Sequence, residues 1–180
     1  IKSKDYLLLP LEDNTLKIVS RTGKNRVKVK EKIAFSGNQI YSYLNTFATT
    51  NQAGDLIQID TNGNVVKTPL SLAQDHKIDA TSKSMALISD NILTIKGIPV
   101  TLPFGTYTQP KIFYINNTLY ITTSDQEAQK VYVYYSNGTA VEGFPVYGSS
   151  AADLSNIDKD SAVELSVRSE NKEVLIYEFN

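Results

Sequence analysis

The sequence predicts an all-β fold, β-propeller-like, of about five four-stranded antiparallel units of roughly 40 residues, with incomplete blades at both ends. Three observations carry that expectation. Short strands that run into a glycine turn recur at a near-constant interval. Each is preceded by a second strand that ends in a polar turn. Nowhere does an apolar stripe at helical spacing persist for the roughly 11 residues an amphipathic helix requires.

The recurring strands are Leu16 to Val19 before Gly23, Ile57 to Ile59 before Gly63, Leu93 to Ile95 before Gly97, Val131 to Tyr134 before Gly138, and Val174 to Tyr177. Their starts at 16, 57, 93, 131 and 174 are 41, 36, 38 and 43 residues apart, and such an interval accommodates four strands with their turns. The partners that precede them are Tyr6 to Leu9, Phe47 to Thr49, Met85 to Ile88, Leu119 to Ile121 and Val163 to Val167. β-Branched and aromatic residues on a period of two, broken by Asn, Asp and Gly, are what half-buried hairpins require. Asn62-Gly63 and Asn137-Gly138 read as two-residue type I′ turns, in which both central residues need positive φ.

A further strand follows each glycine turn: Arg26 to Lys30, Val65 to Thr68, Val100 to Leu102 and Val141 to Val146. Another precedes the next hairpin: Ile40 to Tyr43, His76 to Asp79, Lys111 to Tyr114 and Ala151 to Leu154. With the four positions of a unit lettered a to d, the chain reads bcd, abcd, abcd, abcd, abc. A sandwich or jelly roll also strings short strands between turns, but neither requires a recurring four-strand unit. The incomplete ends, and the unpaired edges they would expose, favour residues 1–180 as a single propeller domain forming the C-terminal portion of a longer chain and a larger propeller. A closed ring of five units is the alternative. Charge argues for it: residues 1–32 hold nine bases and four acids, net +5, while residues 150–180 hold three bases and seven acids, net −4, and closure would set these ends side by side.

Composition narrows the function. A chain of 180 residues can bury about 70% of its unfolded surface in one domain. A net charge of −1 lacks the basic footprint of a nucleic-acid binder. No cysteine is present, which removes disulfides, thiolate zinc sites and cysteine nucleophiles, and a single histidine, His76, removes a histidine-rich metal centre. No apolar run approaches the roughly 20 residues of a membrane helix, so membrane insertion is not expected.

One stretch carries a family likeness. Asn137-Gly138, Gly143-Phe144-Pro145-Val146, Ala152-Asp153-Leu154, the run from Asn156 to Val167, and Val174 to Phe179 together resemble one repeat of the FG-GAP and related bacterial extracytoplasmic propellers. The resemblance covers about a quarter of the chain and implies architecture and compartment more than activity. It also implies a metal. Some loops of that family hold calcium, and Asn156, Asp158, Asp160 and Glu164 fall on the matching one-three-five-nine spacing, with the Ala162 carbonyl as a backbone ligand. Hard Ca²⁺ takes six to eight oxygens, which alternate side chains on a curled loop can supply. Ser161 stands where the family has its sharp-turn glycine, and the first ligand is an amide rather than a carboxylate.

Other candidates are weaker. His76 lies near Asp75 and Asp79, a superficial base and orienting acid, and is expected at a surface or blade edge. The serines lack a nucleophile elbow, and the glycines are too isolated to cradle phosphate. Eleven tyrosines are an excess: most, such as Tyr132 and Tyr134, are expected to fill the wedge between neighbouring sheets. Tyr107, in the loop between Pro103 and Pro110, is the ligand-binding exception the sequence nominates, because loops present function on a rigid frame. The expected function is a non-catalytic binding or interaction module of a secreted, periplasmic or cell-surface protein. Its partner would be a protein or carbohydrate, it would have no cofactor beyond calcium, and its exposed edge strands offer a route to homo-oligomers. The alternative is a carbohydrate-active enzyme, a glycosidase or lyase, with its site at the mouth of the ring.

Overall fold

The fold is seen in a computed structural model, in which residues 6–180 are described. All regular structure among them is β, in five antiparallel sheets whose strands are neighbours in sequence. The first sheet is β1 (Leu7–Pro10), β2 (Leu16–Val19) and β3 (Asn25–Lys28). The second is β4 (Tyr41–Tyr43), β5 (Thr46–Thr50), β6 (Asp55–Ile59) and β7 (Val65–Pro69), and the third β8 (Lys77–Ala80), β9 (Met85–Ser89), β10 (Ile92–Ile95) and β11 (Ile98–Thr101). The fourth is β12 (Lys111–Ile115), β13 (Thr118–Asp125), β14 (Lys130–Tyr135) and β15 (Val146–Tyr147), and the last β16 (Asp153–Ser155), β17 (Val163–Arg168) and β18 (Val174–Phe179). Three, four, four, four and three strands reproduce the order read from the repeat.

Two compact units result, one running to His76 and including Ala80–Lys83, the other holding Lys77–Asp79 and Ser84–Asn180. In the first unit, alternate residues of neighbouring sheets bury a common core of Leu16, Ile18, Val29, Ile33, Phe47, Ile57 and Ile59. In the second unit the fourth sheet is covered on both sides. Tyr132 and Tyr134 point into one core with Ile88, Leu93 and Ile95, while the intervening Val131 and Val133 point into another with Leu154, Leu165 and Val167. Period-two alternation along one strand thus serves two apolar layers. The Tyr132 and Tyr134 rings lie nearly parallel with centroids 6.5 Å apart, as the wedge-filling expectation requires.

The turns differ from expectation in a consistent way. At Asn62-Gly63 and Asn137-Gly138 only the glycine has positive φ, 83° in both, so neither is a type I′ turn. Asp60 N–H bonds the Asn64 carbonyl and Gly63 N–H bonds the Asp60 carbonyl, which is a type I turn closed by a glycine bulge. The Asp60 side chain adds a clamp, accepting from the amides of Asn62 and Asn64. The same bond pair recurs from Ser20 to Lys24, Asn51 to Asp55, Tyr135 to Thr139 and Ser169 to Glu173. True two-residue turns with both φ positive occur instead at Leu44-Asn45, Lys96-Gly97 and Asn116-Asn117. At Ser20, Asn51, Asp60 and Ser169 a short polar residue at the turn start favours the five-residue form, because its side chain accepts from an amide that the longer turn leaves open, and in the turn that starts at Tyr135 the Asn137 side chain does so instead. The strand expected over Val141 to Val146 is also reduced to Val146–Tyr147. Gly143 turns the chain at φ 86° and Pro145 has no N–H to offer a ladder.

Two glycines of the first unit separate conformational from steric cost. Gly23 and Gly54 share a positive φ, 78° and 79°, but a Cβ on Gly23 would meet nothing within 4 Å, whereas one on Gly54 would fall 2.6 Å from the Leu72 amide nitrogen and carbonyl oxygen. Gly23→Ala is expected to cost about 1 kcal/mol, the left-handed backbone penalty alone. Gly54→Ala should cost roughly 2 kcal/mol more, since backbone must move. Urea midpoints of the two variants measure the difference, and equal losses would refute the close approach.

Candidate functional site

The loop between β16 and β17 is held by its own polar side chains. Asp158 Oδ1 accepts from the Asp160 amide at 3.2 Å, Asp160 Oδ1 from the Ala162 amide at 2.6 Å, and Glu164 Oε2 from the Ile157 amide at 2.7 Å. These local bonds curl residues 156–162 so that one oxygen each of Asp158, Asp160 and Glu164 lie within 4.8 Å of one another. Two of the acids are exposed and Glu164 is buried. Asn156, the first residue of the expected ligand set, donates its amide to the Asp160 carbonyl at 2.7 Å. Its Oδ1 is buried and has no hydrogen-bond partner. Three converging carboxylates, on a loop whose first residue holds an orphaned amide oxygen, offer hard oxygen donors of the kind that calcium takes.

This loop is tied to the adjacent sheet. Asn156 Nδ2 also bonds Asn116 Oδ1 at 3.2 Å, and Asn116 Nδ2 bonds the Ser161 carbonyl at 3.4 Å. Asn116 sits in the tight turn between β12 and β13, with φ 48°. Both connections join position a to position b of their sheets, and together they form one hydrogen-bonded end of the second unit. Two large apolar side chains are exposed there: Tyr114 at 69% and Ile157 at 63%. The sequence placed Tyr114 among the surplus tyrosines without singling it out, and nothing in its pattern marked Asn116 or Ile157.

Tyr107 lies elsewhere. It is buried, its hydroxyl donates to the Pro103 carbonyl at 2.8 Å, and its ring packs against Tyr132 at 6.1 Å. The loop that carries it folds inward because Tyr107 forms a β-bridge with Asp125, and its flanking residues bond the same strand: Thr108 N–H bonds the Ser124 carbonyl and Gln126 N–H the Thr106 carbonyl. The same turn brings Gly105 against Asp125, where any Cβ would lie 2.3 Å from the carboxylate.

His76 is likewise buried rather than at a surface or edge. Its Nδ1 lies 2.6 Å from the Ala73 carbonyl and its Nε2 2.7 Å from Thr50 Oγ1. Thr50 Oγ1 also contacts Ser36 Oγ at 2.7 Å, and Asn38 bonds Thr50, Ser36 and the His76 carbonyl. A backbone carbonyl, not Asp75 or Asp79, orients the ring. Asp79 instead accepts from the Ile112 amide at 2.8 Å. Both imidazole nitrogens are spent on a structural knot.

The tyrosine core makes stability sensitive to alkali. Burial pushes the Tyr107 hydroxyl well above its ordinary value of 10.0, reinforced by Tyr132 and Asp125, and burial likewise raises Tyr132 and Tyr134. Such groups hold their protons more tightly folded than unfolded, so their contribution is intact below pH about 10 and is lost as pH rises through the native values. Unfolding free energy of the second unit should therefore fall with pH above about 10, and Tyr107→Phe should flatten that slope while costing about 1 kcal/mol at neutral pH for the lost bond to Pro103. Urea titrations at several alkaline pH values read both, and an unchanged slope would refute the role of Tyr107.

No protein-family model and no curated protein matches the sequence. Solved structures do. The chain is similar to Hsv2 from Kluyveromyces lactis (TM-score 0.69, 12% identity, 99% of this chain and 59% of that one). It is similar also to BamB from Moraxella catarrhalis (0.58, 15%, 97% and 55%) and to BBS1N, solved in complex with ARL6DN (0.57, 12%, 97% and 61%). At these identities the likeness speaks for the fold alone, and the chain spans little more than half the length of each. BamB and BBS1N are β-propellers, so five sequential antiparallel sheets that superpose on them along nearly their whole length are a partial β-propeller.

Proposed function

We propose that the chain is a non-catalytic, extracytoplasmic binding module that docks a protein partner on the a-to-b end of its last two sheets, beside a calcium-stabilised loop formed by residues 156–164. The observation that carries this reading is the pair of exposed apolar side chains, Tyr114 and Ile157, on turns fixed to each other through Asn116 and Asn156. Large apolar groups cost least to immobilise when the backbone beneath them is already ordered, and such surfaces mark interaction sites. Loops on a rigid sheet frame are where binding residues concentrate. That a propeller of similar fold, BBS1N, was solved in complex with ARL6DN is in keeping with protein rather than small-molecule binding. The commitment of both His76 nitrogens to structural bonds supports a non-catalytic role.

Asp158, Asp160 and Glu164 would hold the ion, with the Asn156 amide oxygen beside them. Bound calcium supplies a positive charge that offsets the repulsion of the three carboxylates. Two of them are exposed and already accept backbone hydrogen bonds, so the ion competes with water and with the loop's own amides, and the expected affinity is weak, about 10⁻⁴ to 10⁻³ M.

Calcium at about 100 times its dissociation constant should add roughly 2.7 kcal/mol to the second unit and raise its thermal midpoint by several degrees. Asp158→Asn with Asp160→Asn should abolish the rise. An unchanged midpoint in the unaltered chain would retire the metal. For the docking surface, Tyr114→Ala with Ile157→Ser should keep the thermal midpoint of the parent and lose the proteins that the parent retains from a matched extracellular extract. Equal retention would move the interface elsewhere.

A further inference from the structure

A small polar cavity in the first unit belongs to neither the docking surface nor the metal loop. Its volume is about 400 Å³, and Ser36, Gln52 and Gln74 line it. That size falls within the range of small-molecule sites, which are mostly apolar, whereas each lining side chain here is polar and uncharged.

Three segments build the cavity, and hydrogen bonds fix each to the next. The segment between β3 and β4 lies along the end of β5. Phe35 forms a β-bridge with Asn51, Ser36 N–H bonds the Thr50 carbonyl at 3.1 Å, and Gln52 N–H bonds the Ala34 carbonyl at 2.8 Å. The segment between β7 and β8 supplies the third side. Its Leu72 N–H reaches the Gly54 carbonyl at 3.4 Å, while His76 is held through its ring by Thr50 and through its carbonyl by Asn38. Gln74 lies between those two ties.

Behind Ser36 the polar groups are saturated. Nδ1 of His76 faces the Ala73 carbonyl oxygen at 2.6 Å and so carries the ring proton, and in the neutral ring Nε2 then accepts from the Thr50 hydroxyl. Thr50 Oγ1 in turn accepts from the Ser36 hydroxyl, whose oxygen accepts from the backbone amide and the side-chain amide of Asn38. Thr50 and His76 are buried, at 1% and 5% exposure, so water does not compete for these bonds. Ser36 is thus a fixed wall. The carboxamides of Gln52 and Gln74 are exposed and make no hydrogen bond among the described residues, so the cavity holds free donors and acceptors on ordered segments.

That combination selects the ligand. An ion would find no opposite charge on the lining to offset its desolvation, and an apolar molecule would strip water from two carboxamides without replacing it. A hydroxyl is donor and acceptor in one atom, and a carboxamide sets two N–H donors beside a carbonyl, so neighbouring hydroxyls of one ring can pair with one carboxamide through two bonds. We propose that this cavity binds a neutral saccharide, one sugar ring held between the Gln52 and Gln74 carboxamides against the Ser36 wall.

The test is an NMR titration of the full chain, calcium chelated, with D-glucose, D-galactose, D-mannose and N-acetyl-D-glucosamine, following the side-chain amide signals of Gln52 and Gln74. At least one sugar should shift both signals to saturation, while acetate and inorganic phosphate should shift neither. Saturation transfer to that sugar reads the variants. Gln52→Leu with Gln74→Leu should weaken its binding about tenfold or more at an unchanged thermal midpoint, because only exposed carboxamides are lost and the buried bonds remain. Tyr114→Ala with Ile157→Ser should bind it as the parent does. Signals unmoved by every sugar would overturn the proposal. So would equal shifts from the anions, full affinity in the glutamine double variant, or lost affinity in the Tyr114 and Ile157 variant, which would place the sugar on the docking surface.

Discussion

A sheet of three or four short strands has two faces, and it is stable only when apolar side chains on at least one of them are covered by something else. The rest of this structure depends on that constraint. The fourth sheet meets it twice, with Tyr132 and Tyr134 on one side and Val131 and Val133 on the other. The last sheet meets it through Leu154, Leu165 and Val167, and its other side carries the exposed Val174, Ile176 and Glu178 on β18. The difference between interior and terminal sheets is therefore written in the alternation of single strands: β14 is apolar on both faces, whereas β18 is apolar inward and mixed outward.

Turn chemistry decides where function can sit. The five-residue turns at Asp60 and Ser169 satisfy their own amides and stay compact. The Asn116-Asn117 turn and the 156–162 loop instead spend side chains on each other, which joins two neighbouring sheets at one end and leaves Tyr114 and Ile157 in solvent. The carboxylates of the longer loop perform two tasks with one set of atoms. One oxygen of each fixes the backbone, and the convergence of the three acids creates a concentration of negative charge that a hard cation would relieve.

Polar groups that look chemical in the sequence are mostly structural in the fold. His76, Thr50, Ser36 and Asn38 satisfy one another inside the first unit, where an unpaired hydroxyl or imidazole would cost far more than its bond contributes. The carboxylate of Asp125, fully buried, caps the amides of Glu127 and Ala128. Tyr107 sits in the same environment, and its hydroxyl is bonded to a backbone carbonyl rather than offered to a ligand.

Most strand positions, their grouping into units of four and the truncated pattern at both ends were legible in the sequence, the strand over Val141 to Val146 excepted, because a period of two and a spacing near 40 residues depend only on local pairing and turn length. The acids of the 156–164 loop were legible for the same reason: their spacing is a property of consecutive residues. The orientation of loops was not. Whether Tyr107 or Tyr114 meets solvent depends on a bridge to Asp125, 18 residues away, and on which face of β12 the neighbouring sheets cover. The turn type at Gly63 rested on two bonds accepted by the Asp60 side chain, and the anchoring of the loop that carries Ile157 on a bond from Asn156 to Asn116 in another sheet. The sequence alone determined the repeat and its elements through local geometry. Only the tertiary structure decided which faces and loops remain free, because burial is a property of what lies opposite and not of the residue itself.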